Sequence, residues 1–417
     1  MEEKSTKIGR KVSGLLLWML ILTILLVGGI SVYGLYSLKE IFIENSIILR
    51  QTAAEVTEQA LKDMAVEQLR GLAVEKAAYI EEKFITVESY VSGIAALAAD
   101  IYDDPDKYPD RPVELPVQDS RALAAQLLWS DRLSEQGQAG AAQSQLPSPT
   151  EEILKLGNVQ DLLVQYNAHN DMVSSTYIAT ESGWMIQADY IAYSKYGEDE
   201  MPLPYEASER QWYKGARDGI PGQIIYTDVI RDIHEGGDYI ICASPVYHNG
   251  EVVAVAGVGS YLETVKKVVL DTAIGGSGYA FLVNEKGQVI ASGRPDGETA
   301  AYAEQEADLR ESDNVKLAKI ASRMVGGLSE GTRLTLDGRA VYLSYAPLDR
   351  LGWSFATVMD IEEIIAPAQA GQEMTLALTE ETVVRQNQVI KHILVIFALA
   401  LAAATIFVSL SGKLFSK

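Results

Sequence analysis

Hydrophobic residues are concentrated in two long stretches, one near each end of the chain. Residues 13–38 and residues 393–412 contain no charged side chain. About 20 apolar helical residues are enough to cross the hydrocarbon core of a bilayer, which is roughly 30 Å thick. The first stretch is longer than the apolar region of a secretory signal peptide, and its helical pattern continues past Leu38. The pattern therefore predicts two transmembrane helices, with the lipid bilayer as a partner.

The charge of the short flanks predicts how the two spans are oriented. The tails 1–12 and 413–417 together carry six cations and two acids. Because segments rich in Lys and Arg stay in the cytoplasm, we expect both termini to be cytoplasmic and residues 39–391 to be extracytoplasmic. The whole chain has a net charge of −22, of which the tails contribute +4 and the extracytoplasmic region −26.

The region that follows the first span keeps a helical pattern. Residues 39–100 contain no proline, and their apolar residues recur at spacings of three and four. The pattern predicts one long helix that continues from the membrane. Two interpretations stay open: the helix packs only on its own domain, or it also forms a parallel pair in a homodimer.

A polar region interrupts this pattern at residues 103–150. Four prolines and many acids lie in residues 103–118, and residues 135–150 are polar and of low complexity. Such composition is typical of loops. Between these two stretches, residues 120–133 predict a short amphipathic helix. We expect the whole region to be an insertion without a chemical role.

From residue 173 onward, short β-rich runs alternate with turns and helices, and the order then recurs in shorter form. A strand–turn–strand pattern at 173–189 returns at 278–292, and each is followed by a helix and further strands. This predicts an α+β fold in which two tandem modules, each an antiparallel sheet, follow the long helix. The predicted parts after the first span are the long helix 39–100, a first module 101–272, a second module 273–360, a helix 361–392 and the second span 393–412.

The amino-acid composition argues against several classes of function. A single cysteine, Cys242, excludes a disulfide framework and a multi-thiolate metal site. The strong acidity argues against nucleic acid as a partner, because phosphate binding needs clustered cations. The four histidines are scattered, and no catalytic arrangement stands out, so we predict neither a cofactor nor an enzyme. The alternatives are a membrane-tethered extracellular enzyme and a ligand-free structural or dimerisation module.

Several motifs resemble one family of sensors. They are the long helix after a membrane span, the stretch Arg210-Gln211-Trp212-Tyr213, the strand end Tyr226-Thr227-Asp228, the hairpin SPVYHNGEVVAVAGVGSYLETV and the sequence GGSGYAFLVNEKG. Together they resemble the double Cache (tandem PAS-like) extracellular sensor domains of bacterial transmembrane receptors. The resemblance implies that residues 39–100 are a signalling helix, that the membrane-distal module 101–272 binds a small ligand and that the module 273–360 is membrane-proximal. It also implies that a cytoplasmic output domain or partner follows the second span at the inner membrane.

The resemblance also implies a ligand site. Members of the family that bind amino acids match this chain at Tyr205, Arg210, Trp212, Tyr213 and Tyr226. A guanidinium such as that of Arg210 can bind a carboxylate through two charge-assisted hydrogen bonds. Another interpretation stays open for Trp212 and Tyr213, which would then only pack their helix on the sheet.

One position departs from the family pattern. Gly259 stands where the family has an aspartate that pairs with the amine of the ligand. Asp228 or Asp189 would then have to replace it. We therefore expect a carboxylate-bearing metabolite as the first class of ligand and an amino acid as the second.

Overall fold

The computed structural model describes residues 2–116, 122–135, 148–190, 204–231, 237–301 and 307–414. Helix α1 extends over Glu2–Asp103, and the last helix, α8, extends over Ile361–Leu414 with Pro367 inside it. Both contain a segment that is long and apolar enough to cross a membrane, as the sequence predicts. The chain divides into two compact units, one of Met1–Ala65 with Ile361–Lys417 and one of Val66–Asp360.

The first unit consists of the initial part of α1 and of α8. Gly28 allows the two helices to approach closely, because a Cβ there would lie 1.6 Å from Cζ of Phe397. Further along, Lys39 Nζ donates a hydrogen bond to Asn387 Oδ1 at 2.7 Å. Large apolar side chains such as Trp18 and Phe407 are exposed on this unit. This exposure is what helices that face lipid require.

Two antiparallel sheets make up most of the second unit. Within the described residues, the first sheet has the strand order β1-β3-β2-β7-β6-β4, and β5 also pairs with β6. Its strands are β1 (Ala124–Trp129), β2 (Val173–Thr180), β3 (Trp184–Asp189), β4 (Ile225–Tyr226), β5 (Ile230–Arg231), β6 (Asp238–His248) and β7 (Glu251–Tyr261). Its helices are α2 (Asp131–Glu135), α3 (Glu151–Leu156), α4 (Gln160–Ala168), α5 (Gln211–Asp218) and α6 (Glu263–Leu270).

The turn between β6 and β7 follows from its sequence. Asn249 and Gly250 have φ values of 53° and 86°. Two consecutive positive φ values are typical of the tight hairpin turn that an Asn-Gly pair favours. The turn sets the register of the pairs next to it, and an irregularity between Val246 and Tyr247 then shifts the pairing, so that Ile241 lies opposite Gly259.

The helix predicted at residues 120–133 is wrong. Ala124–Trp129 form the edge strand β1, which pairs antiparallel with β3 from Ala124↔Asp189 to Trp129↔Trp184. The run is short, and a short apolar run fits both a strand and a turn of helix, so its periodicity does not separate the two. Leu127 and Leu128 are both buried, on opposite faces of the sheet. The stretch 103–150 therefore contributes a strand to the core.

The second sheet has the order β10-β11-β12-β8-β9 within the described residues. Its strands are β8 (Tyr279–Val283), β9 (Val289–Ser292), β10 (Glu330–Leu336), β11 (Arg339–Leu348) and β12 (Trp353–Asp360). Helix α7 (Val315–Val325) packs on one face, and the side chain of Asn314 caps it by accepting a hydrogen bond from Leu317 N. The predicted α+β fold with two antiparallel sheets is confirmed.

The part of α1 that belongs to the second unit packs against both sheets. Its buried side chains recur at helical spacing, and they share one apolar core with residues of both sheets. Trp129 and Val258 of the first sheet and Phe355 of the second lie in that core. The helix therefore serves as a common support for the two modules.

Among the described glycines of this unit, Gly157 is the one where an added Cβ would come closest to a backbone atom. A Cβ there would lie 1.8 Å from the backbone oxygen of Arg111, which cannot move away as a side chain can. We expect Gly157→Ala to lower the free energy of unfolding by about 1–3 kcal/mol through overpacking. Denaturation of the full chain in detergent, followed by circular dichroism, measures the effect.

Gly71→Ala is a control that should change the free energy of unfolding in the opposite direction. It lies in the interior of α1, and a Cβ there meets nothing within 4 Å. Gly71→Ala should raise the free energy of unfolding by about 0.5–1 kcal/mol, because alanine loses less backbone entropy in a helix. A loss of stability at Gly71, or none at Gly157, would contradict this description of the packing.

Candidate functional site

Helix α5 covers one face of the first sheet. Trp212, Tyr213 and Ala216 of this helix are buried against apolar side chains of β2, β3, β6 and β7. These strand residues are Tyr177, Ala179, Met185, Ile241, Ala243 and Val255. We call the face of the sheet that bears them the α5 face. The opposite face packs on α1.

Arg210 lies at the N-terminal cap of α5, at the edge of the α5 face. Its carbonyl accepts hydrogen bonds from Tyr213 N and Lys214 N, so the backbone is fixed by the helix. The guanidinium carbon lies 4.7 Å from the centre of the Tyr205 ring, a cation–π arrangement. The side chain is exposed, and within the described residues Arg210 forms no ion pair. Tyr205 and Arg210 thus present a positioned cation to solvent.

The two aromatic residues that follow are part of the packing between helix and sheet. Trp212 is buried, and its ring lies 4.8 Å from that of Tyr177. Tyr213 is also buried, and its hydroxyl donates a hydrogen bond to Glu181 Oε1 at 2.9 Å. Burial, with the nearby Glu181 carboxylate, raises the pKa of Tyr213 well above its ordinary value. Its hydroxyl is therefore neutral and engaged at the β2–β3 turn.

Tyr226 lies on the other face of the first sheet. Its ring packs edge-on against Phe84 of α1 with centroids 5.7 Å apart, and its hydroxyl donates a hydrogen bond to Glu88 Oε1 at 3.1 Å. Its neighbour Ile225 points instead to the α5 face, because successive strand residues alternate. The structure does not bring Tyr226 together with Arg210.

Asp228 is engaged between the two sheets. Its carboxylate lies 2.8 Å from Lys286 Nζ, in the turn between β8 and β9, and accepts a hydrogen bond from Gln211 Nε2 at 3.1 Å. The Lys286 ammonium, together with Gln211, holds the pKa of Asp228 below its ordinary value. Asp228 is therefore ionised and already has a cation as partner.

The α5 face contains polar residues that the motifs did not identify. A Cβ at Gly259 would lie 1.5 Å from Oη of Tyr239, so the phenol occupies the space of any side chain at that position. The Tyr239 hydroxyl and Ser175 Oγ are hydrogen-bonded at 2.6 Å. The signal in the sequence for these contacts is the pair of glycines two residues apart in β7, because a glycine inside a strand often marks the close approach of another group.

Asp189 and Tyr177 lie on the same face. The Asp189 carboxylate is buried at the end of β3 and accepts a hydrogen bond from Gln187 Nε2. The Tyr177 ring lies directly above Gly257, where a Cβ would be 2.0 Å from its Cε2 atom. Of the two acids considered as replacements for the missing aspartate, only Asp189 shares a face with Tyr177.

The architecture defines a tandem-module sensory domain: two PAS-like sheets on one long helix, with an arginine presented at the edge of the first. A known protein family matches this architecture. The sequence profile of the Cache domain family fits residues 57–368, so the chain belongs to this family. The resemblance to double Cache sensor domains is thereby confirmed.

Curated relatives of parts of the chain are chemotaxis receptors. The methyl-accepting chemotaxis protein McpA of Pseudomonas putida is 30% identical over 151 residues, which are 36% of this chain and 21% of that protein. PctB of Pseudomonas aeruginosa is 28% identical over 200 residues, 47% of this chain and 28% of that protein. The match therefore spans less than a third of either receptor.

One solved structure is similar to a large part of the chain. The ligand-binding domain of the Pseudomonas aeruginosa amino-acid chemoreceptor PctC, in complex with GABA, is similar over 73% of this chain and 100% of that chain. The sequence identity is 21% and the TM-score is 0.41.

Proposed function

We propose that this chain is the extracytoplasmic ligand-sensing part of a bacterial transmembrane receptor, and that it binds a small carboxylate-bearing metabolite or amino acid on the α5 face. The observation that carries the proposal is Arg210, a cation held over Tyr205 and exposed at the edge of that face. The region 39–391 has a net charge of −26. An exposed arginine without an acid partner in the described part of so acidic a region supports the binding of an anion.

The membrane arrangement is part of the same proposal. Residues 13–38 and 393–412 cross the bacterial inner membrane, both termini lie in the cytoplasm, and residues 101–272 form the membrane-distal module. Residues 273–360 form the proximal module. The cationic tails support this orientation.

Signalling would require a partner on the cytoplasmic side. The names of the relatives support an output in chemotaxis, carried by a domain or protein that acts after the second span. In a homodimer, ligand binding would shift the membrane-linked helices if the ligand binds one helix arrangement more tightly than the other. Any enzymatic activity would then lie in the output and not in residues 39–391.

Calorimetric titration of the full chain in nanodiscs tests the binding step. The probes are lactate, malate, alanine and GABA, each compared with the amide in which its carboxylate is neutral. We expect at least one acid to bind with a Kd in the micromolar range, and its amide to bind at least tenfold more weakly. Equal binding of acid and amide, or no binding by any acid or other carboxylate of a wider panel, would contradict the proposal.

A further inference from the structure

We propose that the α5 face selects hydroxy- or oxo-carboxylic acids over the amino acids of the same carbon skeleton. The inference rests on the proposed function, because it concerns the second polar group of a ligand whose carboxylate is bound by Arg210. It follows from three features of this chain: the phenol that fills the space at Gly259, the buried hydroxyl of Tyr177, and the engagement of the nearby acids.

The first feature replaces a negative charge with a neutral group. The Tyr239 hydroxyl occupies the position where a side chain at residue 259 would begin, 1.5 Å from its Cβ. It is paired with Ser175 Oγ at 2.6 Å. Burial raises the pKa of Tyr239 to about 12, so the phenol stays neutral at physiological pH. A neutral hydroxyl can donate to a carbonyl or accept from a hydroxyl, but it offers no counter-charge to an ammonium.

The second feature is a hydroxyl that the fold leaves unsatisfied. The Tyr177 side chain is only 3% exposed, and its Oη atom forms no hydrogen bond of ordinary geometry within the described residues, although the Tyr239 hydroxyl lies near it. Contact with Gly257 and with the ring of Trp212 fixes the ring in this position. A buried hydroxyl without a partner is costly, and native structures rarely keep one without a reason. A hydroxyl or carbonyl group of the ligand would supply the missing partner.

The third feature concerns the acids that might replace the aspartate of the family. Asp228 is bound to Lys286 and Gln211. Asp189 lies on the α5 face but already accepts a hydrogen bond from Gln187. Recruiting Asp228 for an ammonium would require breaking its ion pair with Lys286. An ammonium at Asp189 would have to share the carboxylate with Gln187. Recognition of an uncharged group by Tyr177 and Tyr239 requires no such change.

Ligand series with one carbon skeleton test the inference on the full chain in nanodiscs. Alanine, lactate and pyruvate form one series, valine with its 2-hydroxy and 2-oxo counterparts a second, and GABA with 4-hydroxybutyrate a third. We expect the best hydroxy or oxo acid to bind at least tenfold more tightly than its amino counterpart. Amino acids that bind as tightly or more tightly would overturn the inference and point to Asp189 as their counter-ion, while leaving the proposed function intact. If no member of any series binds but another carboxylate of the wider panel does, the inference fails and the proposed function stands; if no carboxylate binds, both fail.

Tyr177→Phe tests the hydroxyl itself. The variant should weaken binding of the best hydroxy or oxo acid at least fivefold, while the melting temperature of the ligand-free chain stays the same or rises, because an unsatisfied hydroxyl is removed. Tyr345→Phe is the matched control, since it removes a buried-ring hydroxyl that bonds Glu330 in the second sheet. Unchanged affinity in Tyr177→Phe, or an equal loss in Tyr345→Phe, would overturn the role of Tyr177.

Discussion

Replacing Phe84 with alanine is expected to lower the free energy of unfolding by about 3–5 kcal/mol. Phe84 is fully buried on α1, and its ring contacts aromatic rings of both sheets. Its centroid lies 5.7 Å from that of Tyr226 and 6.2 Å from that of Trp353. The truncation would leave a cavity that rigid sheets on two sides cannot close. Urea denaturation of the full chain in detergent, followed by tryptophan fluorescence, measures the loss.

The next residue of the same helix provides the control. Ile85 is 43% exposed, whereas Phe84 is 0% exposed, so Ile85→Ala leaves the helix intact but removes little buried surface. We expect it to cost less than about 1 kcal/mol. Similar losses in the two variants would show that α1 does not hold the sheets through this contact.

Phe84 lies in a junction where α1 meets both sheets. One turn along the helix, Glu88 accepts the hydroxyl of Tyr226 and pairs with the guanidinium of Arg350, which follows β11 of the second sheet. Asp228, two residues after Tyr226, reaches Lys286 of the same sheet. The strand end that the family motif suggested as a ligand contact thus connects the first sheet to α1 and to the second sheet. A displacement of β4 would therefore change its contacts with both α1 and the second sheet.

Much of the fold could be predicted because its elements are determined locally. The uncharged stretches, the helical spacing after Leu38 and the Asn249-Gly250 turn each fix an element without reference to the rest of the chain. The strand β1 could not be predicted in this way. Its apolar run becomes a strand because the edge of β3 is available for pairing, and that edge is formed by residues about 60 positions later.

In the candidate site, too, the sequence predicts the residues that one helix positions but not those that depend on strand pairing. Spacing within one helix places Arg210 at the cap of α5 and buries Trp212 and Tyr213, so the motif gives their arrangement directly. The face that Tyr226 occupies depends on the register of a two-residue strand. The contact between Tyr239 and Gly259 depends on the register between β6 and β7. A shift of one residue would move these side chains to the other face, and a single sequence does not fix that register.

Replacing Arg210 with alanine is expected to weaken binding of the carboxylate ligand about 10- to 140-fold. A charged, two-pronged hydrogen bond is worth about 1.5–3 kcal/mol, and every 1.4 kcal/mol changes a dissociation constant tenfold. Arg210→Lys keeps the charge but loses the planar fork, so its affinity should fall between the two. Calorimetry of the three proteins with the tightest acid of the panel measures the series.

Arg217 offers a matched control on the same helix. Its guanidinium is engaged by Asp218 within α5, with Nε 2.7 Å from Oδ1, so Arg217→Ala removes an equal charge without touching the contact over Tyr205. We expect Arg217→Ala to bind the acid as the unchanged chain does. Both alanine variants should melt at the temperature of the unchanged chain, because Arg210 is exposed and Arg217 forms only a surface ion pair. A loss of affinity common to both variants would mean that the overall field of the helix attracts the anion. A loss confined to Arg210→Ala would mean that the anion is bound where the guanidinium lies over the Tyr205 ring.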